Sequence, residues 1–131
     1  MRKPADQNTD ARADLDFWSD LAGGDDRSAR ELMALFLTNT SEHIAHLVSG
    51  LAAGNVEAIC RAAHTCIGSC RTCGLDGLAD LFRQVEREAD TRQLDAVSHT
   101  VPRIVEAFDA VHARLTQTIA APSPGAFEER S

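Results

Sequence analysis

The sequence predicts an all-α protein: an antiparallel four-helix bundle with a short N-terminal helix as a cap. Every strongly patterned segment repeats its apolar residues at the helical spacing i, i+3, i+4, i+7, and no segment alternates apolar and polar residues as a strand would. Five Phe, one Trp and no Tyr, beside abundant Leu, Ala and Val, also favour helices over a sheet. Four long amphipathic segments joined by short connections imply antiparallel neighbours.

The length of 131 residues corresponds to one domain that can bury a substantial core. We predict a loose N-terminal segment over residues 1–11, the helical bundle over residues 12–121, and a disordered tail over residues 122–131. The tail is rich in turn-forming residues, A-P-S-P-G.

Turn and capping residues bound the first two helices. The first helix ends at a glycine pair, and its apolar side consists of Leu15, Trp18 and Leu21. Asp25, Asp26 and Ser28 are candidate N-caps for the second helix, which closes at Gly54. The apolar face of the second helix consists of Met33, Phe36, Leu37, Thr40, Ile44, Leu47 and Leu51.

Three further helices follow. The third covers roughly residues 55–73 and stops at Gly74, the fourth starts at Asp76, and the fifth starts near Leu94. The inward residues of the fourth helix are predicted to be Leu78, Leu81, Phe82, Val85 and Ala89. Those of the fifth are Val97, Val101, Ile104, Phe108, Val111, Leu115 and Ile119. Pro102 lies inside this pattern and predicts either a kink or a helix start nearby.

The formal charge of −7 argues against nucleic acid or an anionic membrane as a partner, because both require a basic surface. No apolar run approaches the length of a membrane span. No apolar segment follows the basic residues at the N-terminus, so the sequence does not predict a signal peptide. We therefore expect a cytoplasmic protein. Met1 and the two loose tails favour a free-standing protein, which we expect to be monomeric.

Four cysteines fall within 14 residues on the predicted third helix, so they cannot form a disulfide framework between distant segments. At about 100° per residue, one side of that helix collects Ile59, Ala62, Ala63, Cys66, Cys70 and Cys73. This stripe favours reduced thiols in the core. The alternative is a thiol or metal sensor built on Cys60, His64 and the C-x-x-C pair. Structural zinc sites usually draw on two separated clusters, and the chain has one, so we predict no metal and no cofactor.

His64 lies opposite the apolar stripe and should face solvent. The residues on its side of the helix are Cys60, Arg61, Ile67, Gly68 and Arg71. An exposed imidazole can accept a phosphoryl group through an unprotonated ring nitrogen. Gly68 leaves room for a partner, and arginines can balance the charge of the transferred group. A plain solvated histidine beside ordinary surface arginines is the competing interpretation.

The segment A-H-T-C-I-G-S, residues 63–69, followed by Gly74 and Leu78, resembles the A-H-x-x-K-G-[SA] pattern of histidine-containing phosphotransfer (HPt) domains. The resemblance extends from Glu31 to Glu86. It implies a phosphorelay intermediate in which His64 takes a phosphoryl group from a receiver-domain aspartate and passes it to another. The receivers, or a hybrid histidine kinase, would be the partners, and Mg²⁺ would belong to the receiver. The chain has no nucleotide-binding motif, so we predict a phosphocarrier rather than an enzyme.

Ile67 departs from the family pattern, which has a lysine beside the phosphoryl group. The substitution removes a donor for a charge-assisted hydrogen bond. We hypothesise that Arg71 compensates in part, and that an exposed Ile67 acts as an apolar docking contact. Ile67 also supports an alternative function, a degenerate HPt-like module that docks a receiver or kinase without carrying phosphate.

Overall fold

The computed structural model describes residues 15–121, so the predictions for residues 1–11 and 122–131, and for the first three residues of the predicted bundle, lie outside the described residues. The described residues form five helices and no strand. The helices are α1 (Leu15–Leu21), α2 (Asp26–Ala53), α3 (Val56–Thr72), α4 (Asp76–Asp90) and α5 (Leu94–Ala120). The prediction of an all-α helical bundle is confirmed.

Local sequence signals set the helix ends. The Asp25 carboxylate accepts hydrogen bonds from the backbone N–H and hydroxyl of Ser28, at 3.1 and 2.9 Å, and thereby caps α2. Asn55 caps α3 in the same way, through a 3.1 Å bond to the backbone of the first turn. Gly54 follows α2 with φ of +65° and Gly74 follows α3 with φ of +75°, a backbone region that favours glycine. These residues fix the short connections that the sequence predicted.

The four long helices pack in a ring, each against the next along the chain and α5 back against α2, while α1 packs on α2. The Arg30 guanidinium near the start of α2 donates to the carbonyl oxygens of Thr118 and Ala121, at 3.4 and 2.9 Å. These bonds join the first turns of α2 to the end of α5. The two helices therefore run antiparallel.

The core differs from the predicted apolar faces only at their margins. Trp18 is fully buried and packs edge-on against Phe36, with ring centroids 6.0 Å apart. Leu21, by contrast, is 38% exposed at the end of α1. Five other predicted core residues are only partly buried: Leu15, Ile44, Leu51, Leu81 and Ile119.

Helix α5 is continuous through Pro102, so the helix does not begin there. Pro102 lacks the N–H that would bond the carbonyl of Ser98, and both residues lie on the exposed side of α5, where water can reach that carbonyl. Among residues 15–121, no helix combines the length and the apolar character that crossing a membrane would require.

Candidate functional site

Helix α3 separates a buried thiol face from an exposed histidine. Cys66 and Cys70 are fully buried, as are Ile59 and Ala63, and the helical periodicity of the sequence predicted this face. The side chain of His64, on the opposite side, is 77% exposed. The helix therefore presents one imidazole to solvent from a rigid, well-packed support.

His64 is held by a carboxylate from the next helix. Its Nδ1 lies 3.0 Å from Oε2 of Glu86, which is on α4. Because a carboxylate accepts hydrogen bonds and does not donate them, Nδ1 carries the proton in this pair. In the neutral imidazole, Nε2 then has a free lone pair and is the nucleophilic nitrogen. Glu86 thus selects the tautomer and orients the ring.

Glu86 lies outside the His64 motif and was not among the site residues predicted from the sequence. A signal was present, since α3 and α4 form an antiparallel pair around Gly74. His64 lies ten residues before this glycine and Glu86 twelve residues after it. Counting outward from the turn places the two residues at the same level of the pair. The pairing of α3 and α4 around Gly74 therefore predicts that Glu86 lies beside His64, whereas the His64 motif alone does not.

An open cleft of about 540 Å³ adjoins His64 on the side that faces the α4–α5 turn. Its lining residues are Val56, Glu57, Cys60, Arg61, His64, Thr65, Asp90 and Arg92. Two arginines, Arg61 and Arg92, therefore line the same recess as His64. Of these arginines, Arg61 was a sequence candidate, whereas Arg92 was not, because it lies on a different element 28 residues beyond His64.

Gly68 lies at an open part of the surface. It is exposed, and a Cβ built on it would meet no atom within 4 Å. Gly68 also borders a second recess of about 330 Å³, which includes Leu35 and Phe36 of α2. Leu35 is 55% exposed and so adds apolar area to this surface. The surface around Gly68 is therefore open and partly apolar.

Ile67 and Arg71 are placed differently from the other predicted neighbours of His64. Ile67 is half-buried and packs against the core, so the expectation that it is exposed was wrong. It lies at the edge of the buried face of α3. Arg71 lies two turns along α3, about 10 Å from His64. Its guanidinium is 3.9 Å from the Asp80 carboxylate, and it does not line the His64 cleft. The structure thus brings Arg61 into the recess that contains His64, but not Arg71.

The cysteines have little thiolate character. Burial raises the pKa of Cys66 to about 12 and that of Cys73 to about 11. Cys60 is half-buried, with Sγ 3.9 Å from the carbonyl oxygen of Glu86; burial, then the charges of Asp90 and Glu86, raise its pKa as well. Metal binding and thiol oxidation both require the thiolate. Within residues 15–121, no group of three or more His, Cys, Asp or Glu side chains could hold a metal ion.

The described residues thus form a helical bundle in which the exposed His64 is oriented by a carboxylate on the neighbouring helix. The family model described as Hpt domain matches residues 31–120 of the chain. The chain belongs to the Hpt domain family, and it has a phosphotransfer-related role in two-component signalling. No curated protein and no solved structure gave a match.

Proposed function

We propose that His64 accepts a phosphoryl group from the aspartyl phosphate of one receiver domain and passes it to the aspartate of another. The observation that carries this proposal is the state of His64. Its side chain is 77% exposed, and its Nδ1 is engaged by Glu86 at 3.0 Å. A nucleophile that reacts with another protein must be accessible, and this one is also oriented.

The transfer step balances without a cofactor from this chain. The Nε2 lone pair attacks phosphorus, an N–P bond forms, and the P–O bond to the receiver aspartate breaks. The electron pair of that bond leaves with the aspartate carboxylate. The Nδ1 proton stays on the ring, where the Glu86 carboxylate balances the positive charge that develops on the imidazole. Transfer to the second receiver reverses these changes.

The receiver is proposed to dock over the Gly68 surface. A close approach to His64 requires that the adjoining helix face carry little side-chain bulk, and Gly68 meets this requirement. The neighbouring recess, with exposed Leu35, offers apolar contact area next to the reacting nitrogen. The Mg²⁺ required for the aspartyl chemistry would be bound by the receiver. One receiver would bind one monomer of this protein at a time.

A receiver partner acts in the cytoplasm, and the cysteine chemistry is consistent with that location. All four cysteines are free, three of them buried in the core. Unpaired thiols are typical of proteins in reducing compartments. We therefore propose that this protein meets its partners in the cytoplasm.

The second candidate function is docking without phosphate transfer. It is favoured by Ile67, since the lysine that family members place beside the phosphoryl group is absent. The only lysine of the chain is Lys3, far from His64 in sequence. Under this alternative, the protein would bind a receiver or kinase through the same surface, and His64 would stay unmodified.

The experiment is transfer from receiver domains loaded with acetyl phosphate and Mg²⁺, followed by detection of acid-labile, base-stable label on this protein. His64→Gln is expected to abolish the label. His99→Gln and His112→Gln, which replace two other exposed histidines, are matched controls and should retain it. Label that persists in His64→Gln contradicts the proposal. A wild-type protein that binds a receiver but takes no label supports the docking alternative.

A further inference from the structure

Three helices of the bundle are followed by a residue with left-handed backbone. The residues are Gly54 after α2, Gly74 after α3 and Arg92 after α4, with φ of +65°, +75° and +60°. Glycine occupies the first two positions, as is usual for this conformation. Arg92 is the one residue other than glycine with positive φ in the described part of the chain.

The turn itself does not require an arginine. The backbone N–H of Arg92 donates to the carbonyl of Ala89 at 2.9 Å, and that of Gln93 donates to Glu88 at 2.8 Å. Both bonds use main-chain atoms, so glycine would form them equally well and without steric conflict at Cβ. A strained residue that the turn does not need indicates a role for its side chain.

Arg92 lines the cleft that adjoins His64, together with Arg61. In residues 15–121, neither guanidinium forms an ion pair or a hydrogen bond. Arg71 differs, because it lies outside this cleft and has Asp80 as a partner. Arg61 comes from α3 and Arg92 from the α4–α5 turn, so they approach the recess from two elements.

The charges around the cleft become unbalanced when a phosphoryl group arrives. Glu57 and Asp90 also line the cleft, and they offset the two arginines while His64 is unmodified. A phosphoryl group brings close to two further negative charges and three acceptor oxygens. Guanidinium groups match such oxygens well, because they can donate two parallel hydrogen bonds.

We propose that Arg92, with Arg61, binds the oxygens of the phosphoryl group on His64 and supplies the positive charge that Ile67 removes from the family pattern. The inference rests on the proposed phosphocarrier function, and it assigns the phosphate-binding side of His64 to the α4–α5 turn. Arg71, two turns away on α3, has no part in this site.

The test uses phosphoramidate, a small phosphodonor that labels imidazoles without a receiver: the imidazole displaces ammonia from phosphorus. Arg92→Gly removes the guanidinium and also relieves the backbone strain at this position. We expect its labelling rate to fall about tenfold, as is typical when a hydrogen bond to a charged group is lost. Its thermal midpoint is expected to equal or exceed that of the wild type, so slower labelling cannot come from a damaged fold.

Two matched variants complete the test. Arg92→Lys keeps a positive charge and should recover most of the rate, whereas Arg71→Ala, which removes a cation outside the cleft, should label at the wild-type rate. Equal rates for Arg92→Gly and wild type overturn this inference while leaving His64 as the acceptor. A wild-type protein that takes no label, or takes it undiminished in His64→Gln, overturns the phosphocarrier function itself, and this inference with it.

Discussion

Nδ1 of His64 and Oε2 of Glu86 lie 3.0 Å apart across the interface between α3 and α4. The two side chains are unequally accessible, 77% for the imidazole and 31% for the carboxylate. The carboxylate is therefore partly shielded and held against the bundle, whereas the ring remains open to a partner. This pairing joins His64 to a second helix, so that the orientation of its ring depends on the fold and not on α3 alone.

Replacing Glu86 is expected to slow phosphoryl transfer without unfolding the protein. Glu86→Ala removes the acceptor for the Nδ1 proton, so the two neutral tautomers of His64 become more nearly equal and the developing imidazolium charge is no longer balanced. We expect a decrease of about tenfold in the labelling rate with phosphoramidate. Glu86→Gln keeps an acceptor oxygen and should retain more of the rate.

The ¹⁵N chemical shifts of the His64 ring provide a readout that a purely structural role would not move. In the wild type they should report the Nδ1–H tautomer, and in Glu86→Ala a mixture. Asp80→Ala is the matched control, since it removes another α4 carboxylate that pairs with Arg71 instead. If Glu86→Ala shows an unchanged tautomer and an unchanged rate, the orienting role is refuted.

Two helix glycines are expected to respond oppositely to alanine. A Cβ at Gly68 meets nothing within 4 Å, so Gly68→Ala should stabilise the fold by about 0.5–1 kcal/mol through helix propensity. A Cβ at Gly50 would approach Ala58 Cβ and Ile59 Cγ1 at 3.2 Å, where α2 and α3 meet, so Gly50→Ala should destabilise it. Urea unfolding measures both changes. If Gly68→Ala does not stabilise the fold, Gly68 has a structural role that its surroundings do not explain.

A larger side chain at Gly68 is expected to impair receiver docking without destabilising the fold. Gly68→Gln should fold well, because the helix surface there is open, yet its side chain would cover the approach to His64. We expect transfer from a receiver to fall at least tenfold, while labelling by small phosphoramidate stays near the wild-type rate. Equal losses with both donors would contradict a docking function for this surface.

The fold was predictable because its determinants are local. Asp25 caps α2, Gly54 and Gly74 occupy left-handed positions after α2 and α3, and the buried cysteines lie at helical spacing. Each of these features depends on residues within a few positions of one another. Ile67 was misjudged because it lies at the margin of the α3 stripe, where burial depends on which neighbours pack against it.

The site was predictable only as far as one helix could show it. The helical periodicity of α3 predicted that His64 lies on its exposed side, and this prediction is confirmed. Glu86 and Arg92 belong to α4 and to the turn after it, so their approach to His64 depends on the register between helices. Helical periodicity gives the face of the helix on which a residue lies, but not its position along the helix axis. Arg71 therefore shares a face with His64 in the sequence pattern, yet it lies about 10 Å further along the axis.

A buried hydroxyl links α4 to α5, and its loss should be costly. Thr100 is 2% exposed, and its hydroxyl lies 3.0 and 3.2 Å from the two carboxylate oxygens of Glu88. Thr100→Val keeps the shape but leaves the partly buried carboxylate without this donor, so we expect a loss of about 1–3 kcal/mol in urea unfolding. Ser98→Ala, which removes an exposed hydroxyl on the same helix, is the control and should change stability by less than about 0.5 kcal/mol. Equal effects of the two variants would show that the Glu88 contact contributes nothing.

The buried thiols should make the fold sensitive to alkali. The pKa of Cys66 is raised to about 12 and that of Cys73 to about 11, against 9.0 for an ordinary thiol, because burial disfavours the thiolate. Above pH 9 the unfolded chain therefore holds fewer protons than the folded one, and the free energy of unfolding falls as pH rises. The stabilisation is fully present below about pH 9 and is lost progressively as pH rises toward 11 and 12.

Few other groups interfere in this range, since the chain has no Tyr and one lysine, Lys3, and arginines stay charged. Urea unfolding between pH 8 and pH 10.5 measures the slope. Cys66→Ala removes one of the shifted thiols, so its stability should fall less steeply with pH than that of the wild type, even where the variant is less stable at pH 8. The comparison uses slopes, so the cavity left by the substitution does not enter it. If the two slopes coincide, Cys66 does not stay protonated in the fold, and a reactive thiol at this position becomes possible.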